Sequence, residues 1–179
     1  MRSAVWLNEG AREAVHALKY GGLPRIAEDL ADLMARIALP VQDCGLLVPI
    51  PLAVRRMRER GYNQADWLAA ALARRWRRPV ARNLLVRLRE TASQTALTPG
   101  ARLANVAGAF EVRNAEVGMR DLGVCFHSAF RNPHSTFVLV DDVFTTGATL
   151  AEAARALERA GARSVAGITF GRAVIPDFT

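Results

Sequence analysis

Cysteine is scarce in this chain of 179 residues. The two present, Cys44 and Cys125, stand far apart and in no Cys-x-x-Cys pair. That excludes a disulfide-dense secreted scaffold and any zinc site built from cysteines, so no structural zinc is expected. Long apolar runs are also missing: every candidate is broken by Arg, Glu or Asp well short of the ~20 residues that span a bilayer. The N-terminus carries Glu9 and Glu13 and lacks a hydrophobic h-region, so no signal peptide is expected. A reduced, cytoplasmic protein without membrane insertion is the simplest expectation. The three histidines, His16, His127 and His134, share no spacing and are assigned neither catalysis nor metal ligation. Lysine is nearly absent: Lys19 is the only one among 24 basic residues.

What is present is an ordinary globular composition, 51% apolar and 23% charged, long enough for one domain with a sizeable core and too short for two. The net charge of +7 is unevenly spread. Residues 1–51 and 106–179 each sum to −1, whereas residues 52–105 hold 12 Arg against 3 acids, a net +9. Arginine offers a planar fork of donors suited to phosphate oxygens, so a polyanionic partner is expected: a pyrophosphate-bearing ligand, a nucleic acid, or both. Arg74, Arg75, Arg77 and Arg78 crowd a helix end, where cations are favoured in any case. They read equally as solvated helix charge.

The chain contains no internal repeat. Helical spacing runs from Asn8 to about Tyr20 and stops at Gly21-Gly22; Pro24 opens a second helix that reaches Pro40. The run 45–50 is a short buried strand closed by Pro51. Residues 52–60 are basic and irregular. Gln64 to Arg75 is an amphipathic helix, 84–88 a candidate strand, and 89–107 a long polar loop. Phe110-Glu111-Val112 alternates like a strand, 113–136 resists assignment, 137–140 is a buried strand, Thr149 to Arg159 a helix capped by Gly161, and 164–170 a last strand. Strands alternating with helices predict a parallel sheet covered on both faces.

The strongest signal is the run Val138-Leu139-Val140-Asp141-Asp142-Val143-Phe144-Thr145-Thr146-Gly147-Ala148-Thr149-Leu150. It is a buried strand, two acids at its carboxyl end, a Thr/Gly turn and a helix start. Ligands of open α/β sheets sit outside the carboxyl ends of strands. The turn's N–H groups and the helix N-terminus suit a phosphate monoester, Thr145, Thr146 and Thr149 add hydroxyls, and Gly147 allows a close backbone approach. Asp141 and Asp142 can accept hydrogen bonds from a vicinal diol or help hold a divalent metal. Acids beside a phosphate cradle read as a ribose 5-phosphate site. The competing possibility, that Asp142 caps a turn and the threonines cap the helix, leaves two adjacent carboxylates at a buried strand end with nothing to bind.

This run resembles the phosphoribosyl pyrophosphate (PRPP) signature of type I phosphoribosyltransferases, and the chain resembles the ComF/GntX-type family of competence-associated phosphoribosyltransferase-like proteins. Three further stretches carry the narrower resemblance: Ala17-Leu18-Lys19-Tyr20-Gly21; Val48 to Leu52 followed by Arg55 to Ala65, with its Arg60-Gly61-Tyr62-Asn63-Gln64 core; and Arg87-Leu88-Arg89 with Thr91, Gln94, Leu97, Arg102, Asn105 and Ala109-Phe110. The resemblance implies a single phosphoribosyltransferase-like α/β domain over 1–179, with a helical N-terminal part (1–44), a flexible hood (89–107) and an unexplained insertion (113–136). It implies PRPP as ligand with Mg2+ as cofactor. Asp141 and Asp142 would contact the ribose hydroxyls and the metal, making them the catalytic candidates. Thr145, Thr146, Gly147, Ala148 and Thr149 would hold the 5-phosphate. Pro49, Ile50, Pro51 and Leu52, helped by Arg56 and Arg60, would meet the pyrophosphate.

An enzyme of this kind transfers the phosphoribosyl group to an acceptor and releases pyrophosphate; no residue stands out as a general base or a base-recognition pocket. The alternative, supported by the family's link to competence and by the basic middle segment, is a PRPP-regulated or non-catalytic module binding single-stranded DNA or competence proteins in DNA uptake. Arg55, Arg58 and Tyr62 are its nucleic-acid candidates. Arg56, Arg58 and Arg60 would share one side of an extended loop; Trp67 and Trp76 are offered to bases or to core packing. Paired N-terminal cysteines found in many family members are not seen in this sequence.

Overall fold

The computed structural model describes residues 1–38, 44–89, 107–113 and 136–173. Most of the expected hood and of the expected insertion lies outside the described residues, as do Cys125, His127 and His134. The elements are β1 (Arg2–Trp6), α1 (Glu9–Tyr20), α2 (Pro24–Ala35), β2 (Cys44–Pro49), α3 (Val54–Arg60), α4 (Gln64–Trp76), β3 (Leu85–Arg87), β4 (Phe110–Val112), β5 (Thr136–Phe144), α5 (Ala148–Arg159) and β6 (Ser164–Arg172). Four strands make an all-parallel sheet in the order β1-β6-β5-β2. β3 and β4 form a separate antiparallel ribbon.

The continuous apolar run in β5 has a direct cause. Successive side chains of a strand point to opposite faces, and helices cover both faces of this sheet. Val138 and Val140 pack with α1, α2 and α4 in one cluster built on Leu18, Met34, Leu68 and Leu72. Phe137 and Leu139 pack with α5 and the β3–β4 ribbon in a second cluster, through Leu150, Leu157, Leu85 and Phe110. Each fully buried Leu or Phe contributes about 2 kcal/mol by removal of apolar surface from water.

Side chains set the helix ends near the sheet's carboxyl edge. Asn8 accepts from the Ala11 N–H at 2.9 Å and starts α1. Asn63 accepts from the Ala65 N–H at 3.1 Å to start α4, and its amide donates to the Ile50 carbonyl at 3.0 Å. One buried asparagine therefore fixes both the helix start and the loop that leaves β2.

Two expectations are corrected. Residues 52–60 were expected to be irregular, yet Val54–Arg60 is helical. Arginine, methionine and glutamate are good helix formers, and Gly61, at φ 78°, supplies the left-handed residue that ends the turn. Arg56, Arg58 and Arg60 therefore do not share one side. Arg56 and Arg60, four apart, do; Arg58 points about half a turn away. The N-terminal part is also not purely helical. Its first residues form β1, which pairs with β6 at the sheet edge. The acids Asp141 and Asp142 belong to β5 itself, which runs on to Phe144.

Candidate functional site

A cavity of about 650 Å3 opens at the carboxyl edge of the sheet. Its floor is the end of β5, its one wall the loop after β2 together with α3, and its other wall α1. From the expected site residues the structure brings together Asp141, Asp142, Thr145, Thr149, Ile50, Pro51, Leu52, Arg56 and Arg60 in this lining. Pro49, Thr146, Gly147 and Ala148 are outside the lining, in the strand, turn and helix start that carry it; Arg55, Arg58 and Tyr62 are outside it too. Arg55 lies on the exposed side of α3 and pairs with Glu59 at 2.7 Å. Tyr62 stacks on Trp67 (centroids 3.9 Å apart), donates to the Leu18 carbonyl at 2.9 Å and accepts from the Gly22 N–H at 3.2 Å. It ties α4 to the α1–α2 turn. Trp67 and Trp76 pack against the core, and the Trp76 indole N–H donates to the Ala35 carbonyl at 3.4 Å.

The turn expected to take a phosphate is built by conformation. Gly147 has φ 79° and caps α5 without a side-chain hydrogen bond; no acid occupies the first turn of the helix. The helix therefore presents its N-terminal dipole and N–H groups toward the cavity side, where Thr145 and Thr149 add hydroxyls. Glycine at this position has an internal reason, and not only the room for a ligand that the sequence suggested. A β-carbon there would sit 2.5 Å from Phe144 Cε2.

Several lining residues had not been singled out as site residues. Lys19 of α1 reaches the acids, its Nζ 2.6 Å from Asp142 Oδ2. The approach is off the direction of an ideal hydrogen bond, so the contact is chiefly ionic. Arg87 enters from β3, with its guanidinium 5.4 Å from the Phe110 ring centroid. Burial and then the charge of Arg56 lower its pKa, and Asp141 opposes that shift. Arg12, His16 and Tyr20 line the α1 side. Gln64, buried, accepts a hydrogen bond from Arg60 and so orients that guanidinium. Among the described residues, five cations (Arg12, Lys19, Arg56, Arg60, Arg87) face three acids (Glu59, Asp141, Asp142). The cavity therefore favours an anionic occupant.

The two carboxyls differ. Asp141 accepts from the Asp142 N–H at 2.9 Å. Burial, and next the neighbouring Asp142 charge, push its pKa well above the usual carboxylate range. Burial pushes Asp142 the same way, but the charge and close contact of Lys19 outweigh it and hold Asp142 below that range. Asp142, 5% exposed, is thus the ionised member of the pair. Lys19 could have been suspected from its being the one lysine in an arginine-rich chain; the contact itself depends on how α1 crosses the sheet.

The phosphoribosyl transferase domain family matches residues 69–172, from within α4 to the last strand. The chain is similar to the DNA utilization protein YhgH of Salmonella typhimurium, 34% identical over 157 residues, which cover 84% of this chain and 62% of that protein. It is similar to Competence protein F of Haemophilus influenzae, 33% identical over 119 residues (66% of this chain, 46% of the other). It is similar to Competence protein ComFC of Bacillus subtilis, 32% identical over 174 residues (96% of this chain, 63% of the other). The chain thus spans about 62% of the length of the YhgH relatives it matches.

Proposed function

The chain belongs to the phosphoribosyl transferase domain family, in its ComF-type branch, and on that premise we propose that the crevice binds PRPP and presents its C1 to a nucleophile. The observation that carries this reading is the juxtaposition of Asp141 and Asp142 with a helix start that carries no acid and a cationic wall in one cavity. The acids accept from the 2- and 3-hydroxyls of the ribose. The turn from Thr145 to Thr149 takes the 5-phosphate on N–H and hydroxyl donors. Arg56 and Arg60, on one side of α3, face the pyrophosphate. In the transfer, the C1–oxygen bond breaks with its electron pair leaving on pyrophosphate, and a lone pair of the acceptor forms the new bond to C1. The arginines stabilise the charge that develops on the leaving group.

The donor set also bears on Mg2+, which binds through one or two carboxylates, several waters and substrate phosphate oxygens. Among the described residues no group of three or more His, Cys, Asp or Glu gathers to hold a metal alone. Asp141, in the lining and not paired with Lys19, fits an ion that arrives on the pyrophosphate. That ion would supply charge neutralisation of the leaving group.

The test is a calorimetric titration of PRPP with Mg2+ into the wild type and Asp141→Asn/Asp142→Asn. The reading expects binding that the double change weakens at least about 100-fold, as for loss of two charge-assisted contacts. A folded wild type that takes up no PRPP overturns it. Where binding holds, pyrophosphate release over a panel of acceptors then tests transfer.

A second reading, a role in handling single-stranded DNA during uptake, has its own support. The relatives carry the names "DNA utilization" and "Competence", and Arg55 and Arg58 lie exposed on α3 beyond the crevice lining. The two readings are compatible, since that surface adjoins the crevice wall.

A further inference from the structure

Arginine fills 23 of the 24 basic positions of this chain, and the single lysine is the cation that meets the buried acid of the crevice. An ammonium is a compact point charge on a flexible stem, whereas a guanidinium is a broad planar fork. The place it occupies is narrow: the side chain of Lys19 is 27% exposed and that of Asp142 6% exposed, with 2.6 Å between Nζ and Oδ2. The ion pair that meets Asp142 comes from Lys19, while Asp141 beside it turns one oxygen to the Asp142 N–H.

We propose that Lys19 is a specificity-determining positioning residue: by pinning the Asp142 carboxylate it makes the crevice read the ribose diol, and so select ribose over 2-deoxyribose phosphates. The inference rests on the sugar-phosphate reading of the crevice and adds to it a residue outside the signature, on a helix 123 positions away in sequence from the acid it serves. Lys19 acts through Asp142 and need not touch the sugar. Two carboxylates side by side repel. A carboxylate as enclosed as Asp142 stays an acceptor in a fixed orientation only with a cation against it. Fixed, it offers a lone pair to a 2-hydroxyl. A 2-deoxy sugar leaves that acceptor unanswered, which is the condition under which a polar site discriminates most strongly. Without Lys19 the acceptor is no longer set and the distinction fades.

The experiment titrates PRPP with Mg2+, ribose 5-phosphate and 2-deoxyribose 5-phosphate into four proteins: wild type, Lys19→Met, Asp142→Asn and Lys19→Met/Asp142→Asn. Thermal melts run alongside. The wild type is expected to favour ribose 5-phosphate by about tenfold, the discrimination of one hydrogen bond to a charged group. Lys19→Met should bring the ratio to within about twofold of unity, and the double variant should match Asp142→Asn, because the two residues act as one unit. A purely structural role for Lys19 weakens both sugars together and leaves the ratio at its wild-type value; that result overturns the proposal. So does a double variant whose ratio falls well below that of Asp142→Asn. Should Lys19→Met leave an uncompensated carboxylate and fail to fold, Lys19→Arg, which keeps the charge but replaces the compact ammonium with a broad fork, should still lower the ratio, and a ratio left at its wild-type value overturns the proposal. A wild type that binds PRPP but shows no preference between the two sugars overturns this inference alone; one that binds none of the three overturns the sugar-phosphate reading with it.

Discussion

Replacing Gly147 by alanine tests how the turn proposed to cradle the phosphate is built. The residue has φ 79°, a region that costs an L-residue about 1–2 kcal/mol. The added methyl carbon meets the Phe144 ring, 2.5 Å from Cε2 and 2.9 Å from Cζ. That ring is held in turn: the Arg172 guanidinium lies 5.1 Å from its centroid and 5.4 Å from that of Trp6. The displacement therefore carries an overpacking cost of about 1–3 kcal/mol. Together the two effects lower the stability of the fold by about 2–5 kcal/mol, a large share of the 5–15 kcal/mol typical of a domain. Urea denaturation of wild type, Gly147→Ala, Phe144→Ala and the double variant separates them. With the ring removed, the glycine change should cost only the conformational part, so the cycle should return a coupling of about 1–3 kcal/mol. A Gly147→Ala protein within 0.5 kcal/mol of wild type would refute the assignment of Gly147 to backbone conformation and ring contact. On the PRPP reading, affinity should fall as well, since the turn that offers N–H donors is displaced.

Two further predictions concern charge. Asp66, in the first turn of α4, has its pKa raised by burial from 3.8 to about 6, against the opposing pull of Arg82 and a hydrogen bond from Asn63. Between those two pH values the folded state holds a proton that the unfolded chain has released, so stability falls as pH rises through that window. The full conversion is about 3 kcal/mol, and partial exposure to solvent reduces it to about 1.5 kcal/mol. Asp66→Asn should therefore match wild type near pH 4 and exceed it by about that amount at pH 7.5 in urea titrations; a difference that does not grow with pH contradicts the burial argument. For the DNA reading, single-stranded DNA affinity should fall with log salt. Arg55→Ala and Arg58→Ala should each flatten the slope by about 0.7, the value for one phosphate neutralised on a single strand. Slopes untouched by both changes exclude the exposed side of α3 as the DNA surface.

The parts of this molecule that sequence discloses are those whose cause is local. β5 is legible because a parallel strand with helices on both faces must be apolar on both, as Phe137 to Val140 are. The turn after it is legible because a glycine between hydroxyl residues and a helix start has few structural uses. α1 and α4 show their apolar spacing, and the structure returns them nearly residue for residue, whereas α2 stops at Ala35, short of the Pro40 that the spacing suggested. α3 is hidden by the opposite condition: none of its seven residues is buried, so it has no apolar period to betray it. What announces it is helix propensity, and the left-handed glycine at its end. β1 is hidden because a short edge strand carries only half a pattern, with Val5 partly buried between exposed ends.

The basic middle segment shows why charge in a sequence does not locate a surface. Its arginines look alike along the chain, yet the fold gives them unlike tasks. Arg75 is bound to α2, with Nε 2.6 Å from Asp32 and Nη1 2.8 Å from Glu28, and Arg74 also pairs with Glu28. These two fasten α4 to α2 and are the least free to meet a polyanion. Arg56, Arg60 and Arg87 come from two separate elements to face one cavity. The net +9 of that segment is thus split between a structural clamp, a crevice wall and an exposed helix side. The division follows from partners more than 40 positions away, Glu28 for Arg74 and Arg75, and from the helical turn that sets Arg56 and Arg60 apart from Arg58. Lys19 follows the same logic from the other direction: its own segment carries no excess charge, and only the crossing of α1 over the sheet's carboxyl edge brings it to Asp142. A site assembled from one legible strand end and several cations delivered by distant elements should accordingly lose affinity in two distinguishable ways. Changes at Asp141 and Asp142 remove the contact itself, whereas changes at Lys19 or Gln64 leave every contacting group in place and release its orientation.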